Sequence, residues 1–266
     1  MIDKMLANSG LLFRIGTYLQ YQWKASGPDS IHSPFVFSFY SEVLNYPYQF
    51  SIFEKLEMAR QEFLLDQSKV RFEDAGAGKG WVDKRISAIA SGSLMPFSKA
   101  SLLFKLCRWL KPESVLELGT CLGLTTAFLA SATNSKVHTF EAALPLAQRA
   151  RKLWEVLGLD NIHLVEGKIE NTLPNYLAQV ESPPDFVLID ANHRYAPTMK
   201  NFYLLRDSMK EQGCLVFDDI YWSSEMAKAW KEIISDPAVT VSLDLYGFGI
   251  VFFRPMSSKE NFVLRW

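Results

Sequence analysis

The chain has 266 residues, 48% of them hydrophobic and 14% aromatic, enough to bury a full core and too apolar for a disordered polypeptide. Its 28 basic and 29 acidic side chains leave a formal net charge of −1, so no bulk field exists to hold a polyanion, which argues against a dedicated nucleic-acid binder. No apolar run reaches the roughly 18 residues of a membrane span, and the first residues lack the basic-then-apolar layout of a secretory signal, so a cytoplasmic chain with neither a membrane nor a nucleic-acid partner is expected.

Residues 1–96 are aromatic-rich, with helix-like stretches and few strand signals. Exposed aromatic patches mark contacts, so this segment is expected to be a helical extension that serves as a substrate lid or an oligomer contact, a homodimer included. Ser33-Pro34 reads as an N-cap followed by proline at the first helical position, opening a helix through Phe35, Phe39 and Val43 toward Asn45. His32 just before it is a candidate substrate contact. A second helix is expected over Ile52–Leu65. The stretch from Asp74 to Gly80 is glycine-rich and reads as a loop, a flap over a cleft; it lacks the phosphate-loop spacing, and Trp81 follows where a hydroxyl residue is needed.

From Phe97 the texture changes. A helix over Ser98–Leu110 precedes five apolar strands, at Ser114–Leu118, Val137–Phe140, Ile162–Val165, Phe186–Ile189 and Cys214–Phe217. Amphipathic helices separate them near Leu124–Ser131, Leu144–Leu157, Asn171–Val180 and Thr198–Lys210, the alternation of a doubly wound, parallel α/β sheet. After a helix at Ser224–Ile234, strands at Thr240–Leu243 and Gly249–Phe253 are joined by so short a link that they must be antiparallel neighbours. Residues 97–266 therefore read as one cofactor-binding domain. Cys107, Cys121 and Cys214 are far apart and odd in number, which suits reduced, buried thiols.

The first of these strands runs Val115-Leu116-Glu117-Leu118 into Gly119-Thr120-Cys121-Leu122-Gly123, where an open α/β sheet places its ligand. Gly119 permits close approach of a ligand, Gly123 permits close helix packing, and the helix N-terminus presents free N–H groups. A pyrophosphate-binding turn needs a middle glycine, and Cys121 stands there instead, so a phosphate-free cofactor fits better than a dinucleotide. Glu117 is placed near the ammonium end of an amino-acid moiety, and Glu141, ending the second strand, is placed to accept ribose hydroxyls.

On these residues the stretch from Val115 to Phe253 resembles the class I S-adenosylmethionine (SAM)-dependent methyltransferases, in particular bacterial small-molecule O-methyltransferases related to catechol and caffeoyl-CoA methyltransferases. The resemblance implies a Rossmann-like seven-stranded methyltransferase sheet. It implies that Glu117, Gly119, Thr120 and Gly123 surround the methionine part of SAM, that Glu141 holds the ribose, and that Gly167 and Lys168 contact the adenine. Asp190 joins them as a cofactor contact at the end of the fourth strand.

Asp190 and the pair Asp218-Asp219 close the fourth and fifth strands, and converging carboxylates repel unless a proton or cation intervenes. In the metal-dependent O-methyltransferases this region resembles, an aspartate and an Asp-Asn pair at matching positions hold a divalent ion. Asp190, Asp218 and Asp219 are thus a candidate set for magnesium or manganese. Two departures favour a metal-free site: Asp219 replaces the asparagine, and His193 falls about where that family has a catalytic lysine, in a loop one residue shorter. His193 titrates near neutrality and is the candidate general base, with Asp190 beside it. Tyr221-Trp222 is a candidate apolar wall. The activity expected is methyl transfer from SAM to an oxygen, or less readily a nitrogen, of a small molecule. The alternatives are a noncatalytic SAM-binding module and a nicotinamide-dependent oxidoreductase.

Overall fold

The computed structural model describes residues 2–47, 49–73, 80–255 and 258–266, with the side chains of residues 2–9 left aside. In chain order the elements are α1 (Ile2–Lys24), α2 (Pro34–Phe39, continued by a π-helical turn at Tyr40–Leu44), α3 (Ile52–Leu65), β1 (Lys69–Glu73), β2 (Trp81–Arg85), α4 (Ile86–Ser93) and α5 (Phe97–Leu110). Then follow β3 (Ser114–Leu118), α6 (Leu124–Ala132), β4 (Lys136–Glu141), α7 (Leu144–Leu157), β5 (Ile162–Glu166), α8 (Ile169–Gln179), β6 (Phe186–Ile189), α9 (Tyr195–Arg206) and β7 (Cys214–Asp218). The chain ends with α10 (Ser224–Ser235), β8 (Val241–Asp244), β9 (Phe248–Phe252) and β10 (Glu260–Val263). The result is an α/β fold with a mainly parallel sheet and flanking helices. No described helix is long and apolar enough to cross a membrane.

Two compact units divide the chain, residues 38–184 and residues 1–37 with 185–266. In the first, β3, β4 and β5 pair in parallel, with Val115 opposite Val137 and Val137 opposite Ile162. Every residue of β3 is buried, as a strand covered on both faces requires. On it packs α6, nearly all buried, and α5, which brings Leu103, Phe104 and Cys107 inward. The aromatics of the N-terminal third are largely spent here: Phe53 of α3 lies 4.9 Å from Phe104 and 5.6 Å from Phe128 between ring centroids. The edge-to-face pairing of Phe53 with Phe104 holds more than its buried area alone supplies.

In the second unit, β6 and β7 are parallel, β9 runs antiparallel to both β7 and β8, and β10 runs parallel to β8. Phe35 of α2 meets Phe252 of β9 edge-on at 5.0 Å. The helix beginning at Pro34 forms as the cap pattern requires, with Phe37 N–H donating to the Ser33 carbonyl at 2.8 Å.

Several elements depart from the sequence expectation. β1 and β2 pair antiparallel, with Val70 opposite Lys84 and Phe72 opposite Val82, where few strands were expected. The polar-apolar alternation Lys69-Val70-Arg71-Phe72-Glu73 is the signal that carries it. Of the glycine-rich stretch from Asp74 to Gly80, residues 74–79 lie outside the described residues. An additional strand, β10, extends the expected set of seven; its short polar sequence Glu260-Asn261-Phe262-Val263 has little local signature and is defined by its pairing with β8. Of the three thiols, Cys107 and Cys214 are buried as expected and Cys121 is half-buried.

On β4, His138 stacks against His163 of β5 at 5.1 Å and lies 5.0 Å from Tyr176 of α8. Burial, aided by the charges of His163 and Lys136, pushes its pKa down from 6.5 to about 4. The folded chain therefore prefers neutral His138, and its contribution to stability is complete above pH 6.5 and lost as pH falls toward 4. The melting temperature is expected to fall across that window, and His138→Leu to reduce the fall. An acid limb unchanged in the variant would assign the loss to other groups.

Candidate functional site

The residues singled out by the sequence gather at the carboxyl ends of strands, in one group within each unit. In residues 38–184 the group is the turn after β3. Gly119 (φ 110°), Cys121 (φ 50°) and Gly123 (φ 76°) all take left-handed backbone, and Gly123 caps α6. A positive φ at a non-glycine such as Cys121 costs on the order of 1–3 kcal/mol and persists only where surroundings enforce it. Here the enforcing group is Glu141 at the end of β4. Its Oε2 accepts the Cys121 N–H at 2.8 Å and its Oε1 accepts the Ala143 N–H at 2.8 Å. Burial raises the Glu141 pKa, and the N–H groups of Ala143, Cys121 and Ala142 work against that rise by favouring the carboxylate.

Glu117 is fully buried beneath the same turn. Its Oε2 accepts the hydroxyls of Thr126 on α6 and of Thr139 on β4, the latter at 2.7 Å, and Thr139 in turn shares a 2.6 Å hydrogen bond with Thr120. Glu117 thus fastens β3, β4, α6 and the turn together from below, an arrangement the sequence motif alone did not reveal. Gly123 has its own reason: a Cβ there would lie 2.6 Å from the Ala150 Cβ and 2.8 Å from the Trp154 Nε1, both on α7. The indole N–H of Trp154 donates to the Gly123 carbonyl at 2.8 Å. The glycine accommodates α7, where the sequence suggested packing of its own helix on the strand.

A cavity of about 540 Å³ opens beside the turn, lined among others by Glu141, Cys121, Leu146, Phe72, Lys84 and Ile89. β1, β2 and α4 supply one wall, which the sequence analysis missed. Gly167 (φ 128°) donates its N–H to the Glu141 carbonyl at 2.8 Å, and a Cβ on it would meet the Thr172 methyl at 2.8 Å. Lys168, expected at a ligand, sits 3.3 Å from Glu73 of β1 in a half-exposed ion pair of small energetic worth.

In the other unit the loops after β6 and β7 carry the acids. Asn192 (φ 66°), His193 (φ 25°) and Asp219 (φ 52°) are again left-handed, so strained backbone recurs at the strand ends. His193 Nε2 lies 3.5 Å from Asp190 Oδ1. Ligand atoms of Asp190, His193 and Asp218 lie within 4.8 Å of one another, and Asp218 is buried. Asp219 does not join this group; its N–H donates to the Gly247 carbonyl and its own carbonyl accepts from Trp222. Asp190 and Asp218 of the expected set thus lie together with His193, and the Asp219 charge also reaches the imidazole. Burial pushes the His193 pKa down, but its hydrogen bond to Asp190 and the charges of Asp190, Asp218 and Asp219 outweigh burial and leave it above the ordinary value. Tyr221 is turned to Asp244, to which its hydroxyl donates, while Trp222 is exposed under the Arg14 guanidinium at 4.9 Å. His32 is exposed.

The centre of the chain, which carries this geometry, is similar to a known domain. Residues 116–220 match the methyltransferase-domain family, a span that contains both groups of residues. Among curated relatives, the protein-L-isoaspartate O-methyltransferase of Brucella anthropi is 32% identical over 148 residues, covering 56% of this chain and 61% of its own. That of Hahella chejuensis is 29% identical over 136 residues, covering 51% and 59%. The chain spans about three fifths of the length of these relatives. Among solved structures, the O-methyltransferase from Bacillus cereus in complex with S-adenosylhomocysteine (SAH) aligns with a TM-score of 0.58 at 17% identity, covering 82% of this chain and 96% of its own. The O-methyltransferase from Streptomyces achromogenes involved in tomaymycin synthesis, in complex with SAM, aligns at 0.57 and 16%, covering 81% and 96%. The fold is that of the class I methyltransferases.

The close approach at Gly123 makes a direct test of the turn's packing. Gly123→Ala combines left-handed strain with a clash against α7 and is expected to cost on the order of 2–4 kcal/mol in denaturant unfolding. A change within about 0.5 kcal/mol of wild type would show that α7 yields at no cost.

Proposed function

We propose that the chain is a SAM-dependent methyltransferase that transfers the methyl group to an oxygen of a small-molecule acceptor. The observation that carries the reading is the Glu141 carboxylate, which holds the Cys121 and Ala143 amides and lines the cavity beside the glycine turn. Each of its oxygens accepts one backbone N–H and has a further lone pair to offer a ribose hydroxyl. Gly119 lets the backbone come close to a ligand, and Thr120 and Gly123 complete the turn around the methionine moiety. Glu117, buried beneath them and held by Thr126 and Thr139, supports the turn from below. Gly167 and Lys168 take the adenine edge, through backbone groups, since the Lys168 ammonium is directed to Glu73. Asp190 closes the series as a further cofactor contact.

When bound, SAM supplies a methyl group on a positively charged sulfur, which departs as a neutral thioether. The protein must then orient the acceptor oxygen and remove its proton. His193 is the group for this: the acceptor O–H proton passes to the imidazole, and Asp190 stabilises the imidazolium that results. Its raised pKa makes it a stronger base, one that sheds its own proton and becomes available only at higher pH than an ordinary imidazole. Asp190, Asp218 and His193 also form a donor set that fits a divalent ion, which would lower the pKa of an acceptor hydroxyl. The metal-free reading is preferred, because the third member of the cluster is an imidazole already paired with Asp190. The curated relatives give a second reading, methylation of a protein carboxylate. A carboxylate is already ionised near neutrality and needs no base, so the presence of His193 favours a hydroxyl acceptor.

Two measurements check the proposal. SAM and SAH are expected to bind the full chain in calorimetry, and Gly119→Val to abolish binding while the circular dichroism is retained; unchanged affinity would remove the cofactor from this turn. With an identified hydroxyl acceptor, His193→Ala is expected to lower turnover about 10²–10⁴-fold and chelator to leave it unchanged. Loss of activity on chelation with restoration by magnesium would establish the metal reading, and indifference to both treatments would defeat both mechanisms and leave positioning of the acceptor alone as the source of rate.

A further inference from the structure

An amphipathic surface helix normally turns its apolar stripe inward. α1 does the reverse. Its attachment to the rest of its unit runs along a narrow side: the Tyr21 hydroxyl donates to the Leu264 carbonyl at 2.6 Å, the Tyr246 hydroxyl donates to the Arg14 carbonyl at 2.8 Å, and the Arg14 guanidinium lies over Trp222. Leu11, Leu12, Ile15, Tyr18, Leu19 and Trp23 are all exposed, with Leu12 at 69%, Leu19 at 64% and Trp23 at 86%. At 100° per residue these six fall within an arc of about 140°, a mainly apolar face aimed at solvent that Gln22 interrupts and whose edge at Tyr18 meets Tyr246 at 5.1 Å. Gly16 borders that arc, with nothing within 4 Å of the position a Cβ would take.

From this face we infer that α1 is the surface through which two copies of this chain associate, α1 packing against α1 across a two-fold axis. Area is the first reason. At roughly 150–250 Å² per large side chain the exposed fractions amount to on the order of 700 Å² per chain, above the usual patch on a monomer and close to the ~800 Å² each partner gives a standard interface. The second reason is the symmetry of the stripe. A two-fold interface requires a self-complementary patch, and in an antiparallel pairing centred near Ile15 and Gly16 the leucines at 12 and 19 face one another across the axis. Gly16 lets the two backbones come close there. Charge decides against the other apolar occupant, an anionic lipid surface. That mode of binding needs basic residues flanking the apolar face, whereas Arg14 is directed to Trp222 and Lys24 lies on the far side of the helix by the same periodicity.

Sedimentation equilibrium of the full chain tests this. At micromolar concentration the wild type is expected at twice the 30.3 kDa chain mass. Leu12→Glu combined with Leu19→Glu is expected to weaken association at least about a hundredfold. Leu19→Lys alone provides a second, milder variant, and retention of the wild-type circular dichroism checks that each still folds. A wild type that remains at the mass of one chain, or a dimer indifferent to both charged variants, would overturn the proposal. So would a monomer that co-sediments with phosphatidylserine-containing vesicles, which would assign the face to lipid.

Discussion

The candidate cofactor turn depends on one carboxylate. The turn between β3 and α6 needs left-handed backbone at Gly119, Cys121 and Gly123, and only the glycines take it without strain. Glu141 supplies the compensation at Cys121 by accepting its N–H, and with its other oxygen accepts the Ala143 N–H just before α7. A charge-assisted bond to a backbone amide is worth roughly 1.5–3 kcal/mol, comparable to the strain it offsets. The carboxylate that fixes the backbone also lines the cavity, so one side chain both shapes the turn and borders the open space beside it. Glu117 complements it from the buried side through Thr126 and Thr139.

The strand ends after β6 and β7 show a related economy of charge. Three carboxylates in neighbouring loops would repel one another; here the backbone turns left-handed at Asp219, and an imidazole lies beside Asp190. The hydrogen bond to Asp190 and the charges of Asp190, Asp218 and Asp219 outweigh the cost of burial and raise the His193 pKa.

Much of this was legible in the sequence, and the reason is period. β3, α3, α7 and β6 appear with the boundaries expected from their apolar patterns, since each is either buried on both faces or strongly amphipathic. The glycine turn was legible because its residues have no other use at a strand end. The partners of Glu117 and Glu141 were not, because Thr126, Thr139 and the Cys121 amide meet them only through the packing of separate elements. The β1–β2 wall with Phe72 and Lys84 was obscured by short strands with exposed faces, and β10 by its dependence on β8. Position in sequence suggested Asp190, Asp218 and Asp219 together; that the His193 imidazole lies among the ligand atoms depends on loop dihedrals, which sequence spacing does not encode. The aromatic richness of the N-terminal third had two meanings that composition merged: Phe53 belongs to a core, while Trp23 faces solvent.

The most direct test of the account is a calorimetric cycle on Glu141 that removes the ligand's diol and the carboxylate in turn. SAH and its 2′,3′-dideoxy analogue would each be titrated into the wild type and into Glu141→Ala. If the carboxylate receives the ribose, the wild type prefers SAH by about 1–3 kcal/mol and the variant shows little preference. An undiminished preference for the diol in Glu141→Ala would mean that other groups hold the ribose and that Glu141 serves the backbone alone.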